Sequence, residues 1–310
     1  MEAVRKTMLG SLWRKLFFSP YYFTIALRKR TSEDILSRPN FQADYILPAT
    51  YKKWAADPIL VDDGDTTYLF YEAVDNEKGR IEVVRIDDDG TVSSPEIVLE
   101  DTYHHSYPFV FQYRQVWYMI PESSAREEVR LYKATDFPTK WVPSAVLLRQ
   151  KAVDTTVFQR DGALYLLTYL VTPGREAVTP QAFRLNLDDG APSLQAIPWD
   201  NYNELECRGA GPVFDHSGMQ IRPAQRNQAQ RYGDGLLFYR IEDTACGYRE
   251  TLAGRLDADQ VRAEGVWMDG LHTYTRSNKF EAIDIRCREF EATKFFRALR
   301  SKLCGGVSIT

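Results

Sequence analysis

Between residues 22 and 288 the chain reads as short β-branched and aromatic runs broken by Asp- and Gly-rich turns, with little helical spacing. Four segments share one pattern: a small or polar pair, an apolar run, a polar turn, then an aromatic-rich strand. They are Asp57-Pro58-Ile59-Leu60-Val61 with Tyr68-Leu69-Phe70-Tyr71, and Tyr107-Pro108-Phe109-Val110-Phe111 with Trp117-Tyr118-Met119-Ile120. The others are Asp154-Thr155-Thr156-Val157-Phe158 with Leu164-Tyr165-Leu166-Leu167, and Gly211-Pro212-Val213-Phe214 with Met219-Gln220-Ile221-Arg222. Their first residues are spaced by 50, 47 and 57. An all-strand repeat of about 50 residues predicts a β-propeller, whose four-stranded sheets pack face to face around a channel.

Further strands follow in the first two units, at Ile81-Glu82-Val83-Val84-Arg85-Ile86 and Val129-Arg130-Leu131-Tyr132-Lys133-Ala134. A fifth unit is placed over 235–290, from Leu236-Leu237-Phe238-Tyr239 to Ala282-Ile283-Asp284-Ile285, with Phe23-Thr24-Ile25-Ala26-Leu27 closing the ring. The expected fold is all-β: a five-bladed β-propeller over 22–288, with a basic amphipathic segment at 1–21 and a C-terminal helix and tail at 289–310.

Composition agrees with a packed body. The 310 residues are 44% hydrophobic and 26% charged, which excludes disordered, collagenous and disulfide-scaffold classes. The net charge of −4 argues against a nucleic-acid partner bound through overall basicity. Residues 1–30 nevertheless carry seven basic residues against Glu2, a local +6. Val4, Met8, Leu9, Leu12, Trp13, Leu16 and Phe17 recur at helical spacing, as do Ala292, Phe295, Phe296, Leu299 and Leu303. Two readings stay open for these terminal helices: packing on the propeller, or contact with an anionic membrane surface. The apolar stretch from Leu16 to Leu27 is broken by Ser19 and Pro20, so neither a signal peptide nor a transmembrane helix is expected. Four dispersed cysteines without a metal spacing point to a reducing, cytoplasmic setting.

Because innermost strands line a propeller's channel, the polar residues opening each unit are aimed at a shared axial pocket. Asp57, beside Trp54, and Asp154 are matched acids two units apart, and Glu122 ends an aromatic-rich strand. Inward carboxylates are what glycoside chemistry needs, one activating water or a hydroxyl and another protonating the leaving oxygen or tuning its neighbour. His104 and His105 are adjacent, so on a strand they point to opposite faces, and Tyr107 follows them. Arg208, Arg222 and Gln225 suggest an anionic or polyhydroxylated ligand, while Glu281 and Asp284 offer one acid from the last unit. No metal set and no cofactor motif is visible.

On these residues the chain resembles five-bladed propeller glycosidases of the arabinanase and β-xylosidase type. It is more similar to the N-terminal propeller of glucosamine inositolphosphorylceramide transferases and related bacterial proteins, over about residues 22–287. The resemblance rests on Trp54 to Leu60, His104-His105-Ser106-Tyr107-Pro108-Phe109, Ile120-Pro121-Glu122-Ser123, Val153 to Phe158, Ile221-Arg222-Pro223-Ala224-Gln225 and Glu281-Ala282-Ile283-Asp284. It implies a general base at Asp57 and a pKa-tuning acid at Asp154. Hydrolase relatives carry their proton donor, a Glu, shortly before the fourth-unit Gly-Pro, where this chain reads Glu206-Cys207-Arg208-Gly209-Ala210-Gly211-Pro212. The expectation is a carbohydrate-active enzyme, cleaving or transferring a glycosyl group on a sugar or sugar-phosphate, with Asp57, Asp154 and Glu122 catalytic. Trp54, His104, His105, Tyr107, Arg208, Arg222, Gln225, Glu281 and Asp284 would bind the substrate. The alternative is a non-catalytic glycan-binding or scaffolding propeller.

Overall fold

The computed structural model describes residues 17–31, 35–123, 125–172, 174, 178–188, 190–199, 202, 206–228, 231–242 and 247–291. Their regular structure is almost entirely strand. Of the terminal segments expected at 1–21 and 289–310, residues 1–16 and 292–310 lie outside the described residues; within 18–21 and 289–291 no helix forms, and the two ends instead pair through an antiparallel Phe18–Phe290 bridge.

The strands form antiparallel units of four. The first joins Lys53–Asp63, Thr66–Asp75, Lys78–Ile86 and Glu96–Leu99. The second joins Ser106–Tyr113, Val116–Glu122, Val129–Asp136 and Lys140–Leu148. The third joins Ala152–Arg160, Ala163–Val171, Val178–Asn186 and Ser193–Ile197. The fourth joins Phe214–His216, Met219–Gln228, Arg231–Glu242 and Arg249–Asp257. In the last, Met268–Arg276 pairs with Phe280–Cys287, which pairs with Tyr22–Lys29 and then Tyr45–Ile46. The two ends of the chain therefore close the ring by hydrogen bonding, as the apolar run from Phe23 to Leu27 suggested.

Burial follows strand position. Ala55 to Leu60, all of Phe280–Cys287 and Ala152 to Phe158 are continuously buried, as strands covered on both faces must be, whereas the outer strand Arg249–Asp257 is mostly exposed. Apolar clusters fill every interface between neighbouring units. One joins the first three units, and others join the third to the fourth, the fourth to the last, and the last back to the first. The arrangement is a β-propeller.

One boundary differs from the sequence expectation. Leu236 to Tyr239 lies in the third strand of the fourth unit, and the last unit opens at Met268. The reason is that Arg231–Glu242 is a long, covered strand with the look of an opening run, while the true first strand of the fourth unit, Phe214–His216, is three residues long.

The first strand of each of the first three units breaks register where its repeat pair begins, at Asp57-Pro58, Tyr107-Pro108 and Asp154-Thr155. The last unit does so at His272-Thr273. These are β-bulges, and Asp57, Tyr107 and Asp154 have φ of 52°, 41° and 51°, with Gly211 at 124° in the fourth unit. A bulged amide has no ladder partner and must find another acceptor. Asp57 N donates to Asp284 Oδ2 at 3.1 Å, Tyr107 N to Asp57 Oδ2 at 3.2 Å, and Asp154 N to Glu122 Oε2 at 3.2 Å. Gly211 N donates to the Tyr107 hydroxyl at 2.9 Å.

A Cβ on Gly211 would stand 1.9 Å from the Tyr274 carbonyl oxygen, in a backbone region that side chains avoid. Gly211→Ala is therefore expected to destabilise the protein by about 3 kcal/mol or more. Gly162→Ala, strained by its φ of 76° but with open space around it, should lose only about 1 kcal/mol. Urea unfolding midpoints of the two variants check the contrast.

Candidate functional site

The bulges turn side chains toward the axis, where they enclose a cavity of about 280 Å³. Trp54 and Asp57 come from the first inner strand, Glu72 from its neighbour, Ser106 and Glu122 from the second unit, and Asp154 from the third. Arg208 enters from the loop before the fourth unit, Tyr232 from its third strand and His272 from the last unit. Tyr21, Tyr22 and Phe23 of the closing segment complete the wall.

Arg208 grips Asp154 with two parallel bonds, Nε to Oδ2 at 2.7 Å and Nη2 to Oδ1 at 3.0 Å. Its guanidinium also lies over the Tyr232 ring, 5.4 Å from the centroid. Beside this pair sits Glu122, half-buried, with the Asp154 amide on one oxygen. Burial pushes the Glu122 pKa up to about 7; the Asp154 charge adds to the effect and Arg208 opposes it.

Across the cavity His104 Nε2 lies 2.7 Å from Glu72 Oε1, while the Gly79 amide donates to His104 Nδ1 at 3.0 Å. The two contacts fix the tautomer: Nδ1 accepts, so Nε2 carries the proton and donates to Glu72. The hydrogen bond to Glu72 raises the ring's pKa, but a second proton would have to displace the Gly79 bond. Gly79 has no side-chain space to spare, since a Cβ there would stand 2.6 Å from His104 Nε2 and from the His105 carbonyl.

A third network lies deeper. Asp57 Oδ1 accepts from Thr273 Oγ1 at 3.1 Å, with His272 Nε2 at 4.0 Å, and His272 Nδ1 lies 2.5 Å from Asp284 Oδ2. Burial raises the Asp57 pKa well above the carboxylate range; His272 pulls it down, while Glu72, Asp284 and Asp154 push it further up. Burial opposes charge on His272, yet Asp284 outweighs it and the ring's pKa rises. Asp57, His272 and Asp284 have donor atoms within 4.8 Å of one another, the group among the described residues that could hold a cation. Asp284 already accepts from the Asp57, His272 and Thr273 amides, so an ion would have to replace bonds that shape the bulges.

Residues 36–276 match the family model described as glucosamine inositolphosphorylceramide transferase 1, N-terminal. The chain belongs to this family. It is 33% identical over 252 residues to glucosamine inositolphosphorylceramide transferase 1 of Oryza sativa, indica and japonica, a match covering 70% of this chain and 33% of those proteins. The chain thus spans about a third of the length of the rice relatives. Among solved structures it is similar to the α-L-arabinofuranosidase of Podospora anserina in complex with cellotriose, with a TM-score of 0.53 at 12% identity, covering 77% of this chain and 91% of that one. A compost-metagenome β-xylosidase/α-arabinofuranosidase in complex with xylotriose gives 0.53 at 12%, covering 78% and 92%. These likenesses show the propeller fold.

Of the residues singled out from the sequence, Trp54, Asp57, His104, Glu122, Asp154 and Arg208 line the cavity. Six do not. Arg222 is buried between the third and fourth units, paired with Glu250 through Nε at 2.8 Å and bonded to Tyr169 and the Cys207 carbonyl. Gln225 holds the Gly209 carbonyl at 2.9 Å. Glu281 is bound by Arg28 and by the Tyr274 hydroxyl at 2.8 Å. Asp284 lies behind His272 with no exposure. His105 turns the other way to Asp101 at 2.9 Å, and Tyr107 spends its hydroxyl on Thr156 and Gly211. Each of the six is engaged by contacts within the protein. Conversely, His272 and Tyr232 line the cavity without having been singled out, and Glu72 of the second strand of the first unit lines it as well.

Glu122 binds its proton more tightly folded than unfolded, so its contribution to stability is full below about pH 4.5 and is lost as pH rises through about 7. Glu122→Gln keeps an oxygen for the Asp154 amide and abolishes the titration. The variant is expected to gain on the parent above pH 7, by at most about 3 kcal/mol before screening by water in the cavity, and to lose that advantage toward pH 5. Denaturation midpoints across pH 5–8 check it.

Proposed function

We propose that the axial cavity binds a sugar and that Glu122 acts there as the proton donor in glycoside cleavage or glycosyl transfer. The reading includes five blades, one for each antiparallel unit. The observation that carries it is Glu122 itself, an acid drawn up to about 7 at the wall of a cavity that also presents Trp54 and three further carboxylates. Trp54 offers an aromatic face for a sugar ring. Propellers of this fold have been solved with cellotriose and xylotriose.

Asp154 keeps Arg208 in place and its charge raises Glu122. The base is better assigned to Glu72 than to Asp57. Asp57 is held toward its protonated form and accepts from the Tyr107 amide and Thr273, whereas Glu72 meets His104 through one oxygen. Transfer to an acceptor hydroxyl and attack by water use the same pair. A second reading, a binding or scaffolding propeller without chemistry, is favoured by Arg208, which stands near the place of the hydrolases' donor and neutralises Asp154. We place the protein in the cytoplasm, consistent with buried thiols at Cys207 and Cys287, with its basic terminal segments toward a membrane.

Calorimetric titration with neutral sugars, sugar phosphates and short oligosaccharides, paired with turnover of aryl glycosides and nucleotide sugars, tests both readings. Trp54→Ala should weaken sugar binding about tenfold. Glu122→Gln should retain binding and slow turnover by about 10²–10⁴. Undiminished turnover in Glu122→Gln removes it from the chemistry. Binding by the parent without turnover selects the second reading, and no binding by any sugar overturns both.

A further inference from the structure

One side of the cavity is built at the junction of the fourth and last units. Asp234 of the fourth and Leu271 of the last pair in parallel, a link between units whose own strands pair antiparallel. The approach is close: a Cβ on Gly270 would stand 2.1 Å from the Gly233 carbonyl oxygen, and Gly233 itself has a φ of 67°. Side chains then fix the backbone here. Gly233 N donates to Asn227 Oδ1 at 2.9 Å, and the buried Arg286, whose Nε donates to Asp269 Oδ1 at 2.7 Å, also donates to the Tyr232 carbonyl. The junction therefore holds one cavity-lining residue in place, Tyr232.

The ring of Tyr232 is fixed as well. It stands edge-on to His272, with centroids 4.9 Å apart, and takes the Arg208 guanidinium over its face. Its hydroxyl, by contrast, has no hydrogen-bond partner among the described residues. Burial raises the phenol's pKa well above its ordinary value; Arg208 opposes the rise, and Asp154, Asp57 and Glu122 add to it, so the group keeps its proton. The surrounding wall is rich in acceptors: Asp57, Glu72, Glu122 and Asp154. Arg208 and His104, donors among them, are already committed to Asp154 and Glu72. A sugar hydroxyl that donates to one of these carboxylates still has an oxygen able to accept, and a fixed phenol is placed to meet it.

We propose that Tyr232 determines sugar specificity: its hydroxyl donates to one hydroxyl of the bound sugar, which in turn donates to a carboxylate of the wall. The inference rests on the sugar-binding reading of the cavity and adds to it the residue that chooses among sugars. A site that holds a donor ready for one hydroxyl rejects the analogue lacking it.

Tyr232→Phe keeps the ring against Arg208 and His272 and removes only the hydroxyl. The variant should melt with the parent, because that hydroxyl bonds no described residue. Calorimetric titration with the methyl glycosides of xylose, glucose, galactose and arabinose, each beside its mono-deoxy analogues, tests the role. For the sugar that binds the parent most tightly, Tyr232→Phe should lose about tenfold in affinity. The parent's discrimination against one deoxy analogue should shrink by about the same factor in the variant, while its discrimination against the others stays unchanged. Equal affinity of variant and parent, or a loss shared alike by the sugar and all its analogues, overturns the proposal and leaves the sugar-binding reading in place. No binding of any of these glycosides by the parent is the failure of that reading itself and takes this inference with it.

Discussion

An amide pushed out of a strand ladder at the buried centre of a propeller must find another acceptor. Each inner strand that bulges toward the axis creates such an amide, and the side chain that accepts it comes from elsewhere in the ring: Asp284 for Asp57, Asp57 for Tyr107, Glu122 for Asp154, and the Tyr107 hydroxyl for Gly211. Bonds to charged acceptors contribute about 1.5–3 kcal/mol each, and an unmet buried amide forfeits a similar amount. Two of these acceptors, Asp57 and Glu122, also face the cavity. Fold and site are therefore not separable layers here, because removing either carboxylate also orphans an amide.

That dependence explains the electrostatics. Buried carboxylates are costly unless paired, and the protein offsets them unequally. Asp154 has Arg208 as a bidentate partner. Asp57 and Asp284 share His272, and burial drives Asp57 toward its protonated form. Glu122 accepts one amide and, among the described residues, pairs directly with no cation, and burial pushes its pKa up to about 7. Proton affinity varies around the ring because the bulges fix the acceptors and the cations reach only some of them.

The sequence made the repeat legible for a physical reason. Asp57-Pro58 and Tyr107-Pro108, the pairs that open their repeat units, are bulges, and proline fits there because a bulged position needs no ladder donor. In the last unit the bulge is His272-Thr273, preceded by Asp269-Gly270, with neither proline nor acid at the pair, so both its start and His272 escaped notice. Glu281 and Asp284, three residues apart on one strand, point to opposite faces, which is why one meets Arg28 and the other the axis. The fate of Arg222 could not be read locally. Its partner Glu250 is 28 residues away on another strand, and only pairing in space shows the guanidinium turned from the axis.

The two arginines carried the expectation of an anionic ligand, and their partners change that expectation. Arg222 is spent on Glu250 between units, and Arg208 reaches the cavity already neutralised by Asp154. His104 is held between Glu72 and the Gly79 amide. With Asp57, Glu72, Glu122 and Asp154 in the wall, and Arg208, His104 and His272 each paired with a carboxylate, no cation among the described lining residues is left over for a phosphate. A phosphorylated ligand would have to break the Arg208–Asp154 pair, trading one bidentate contact for another and leaving Asp154 charged beside Glu122. On the sugar-binding reading proposed above, recognition would therefore rest on the hydroxyls and ring of the sugar, with any phosphate it carries held outside the cavity.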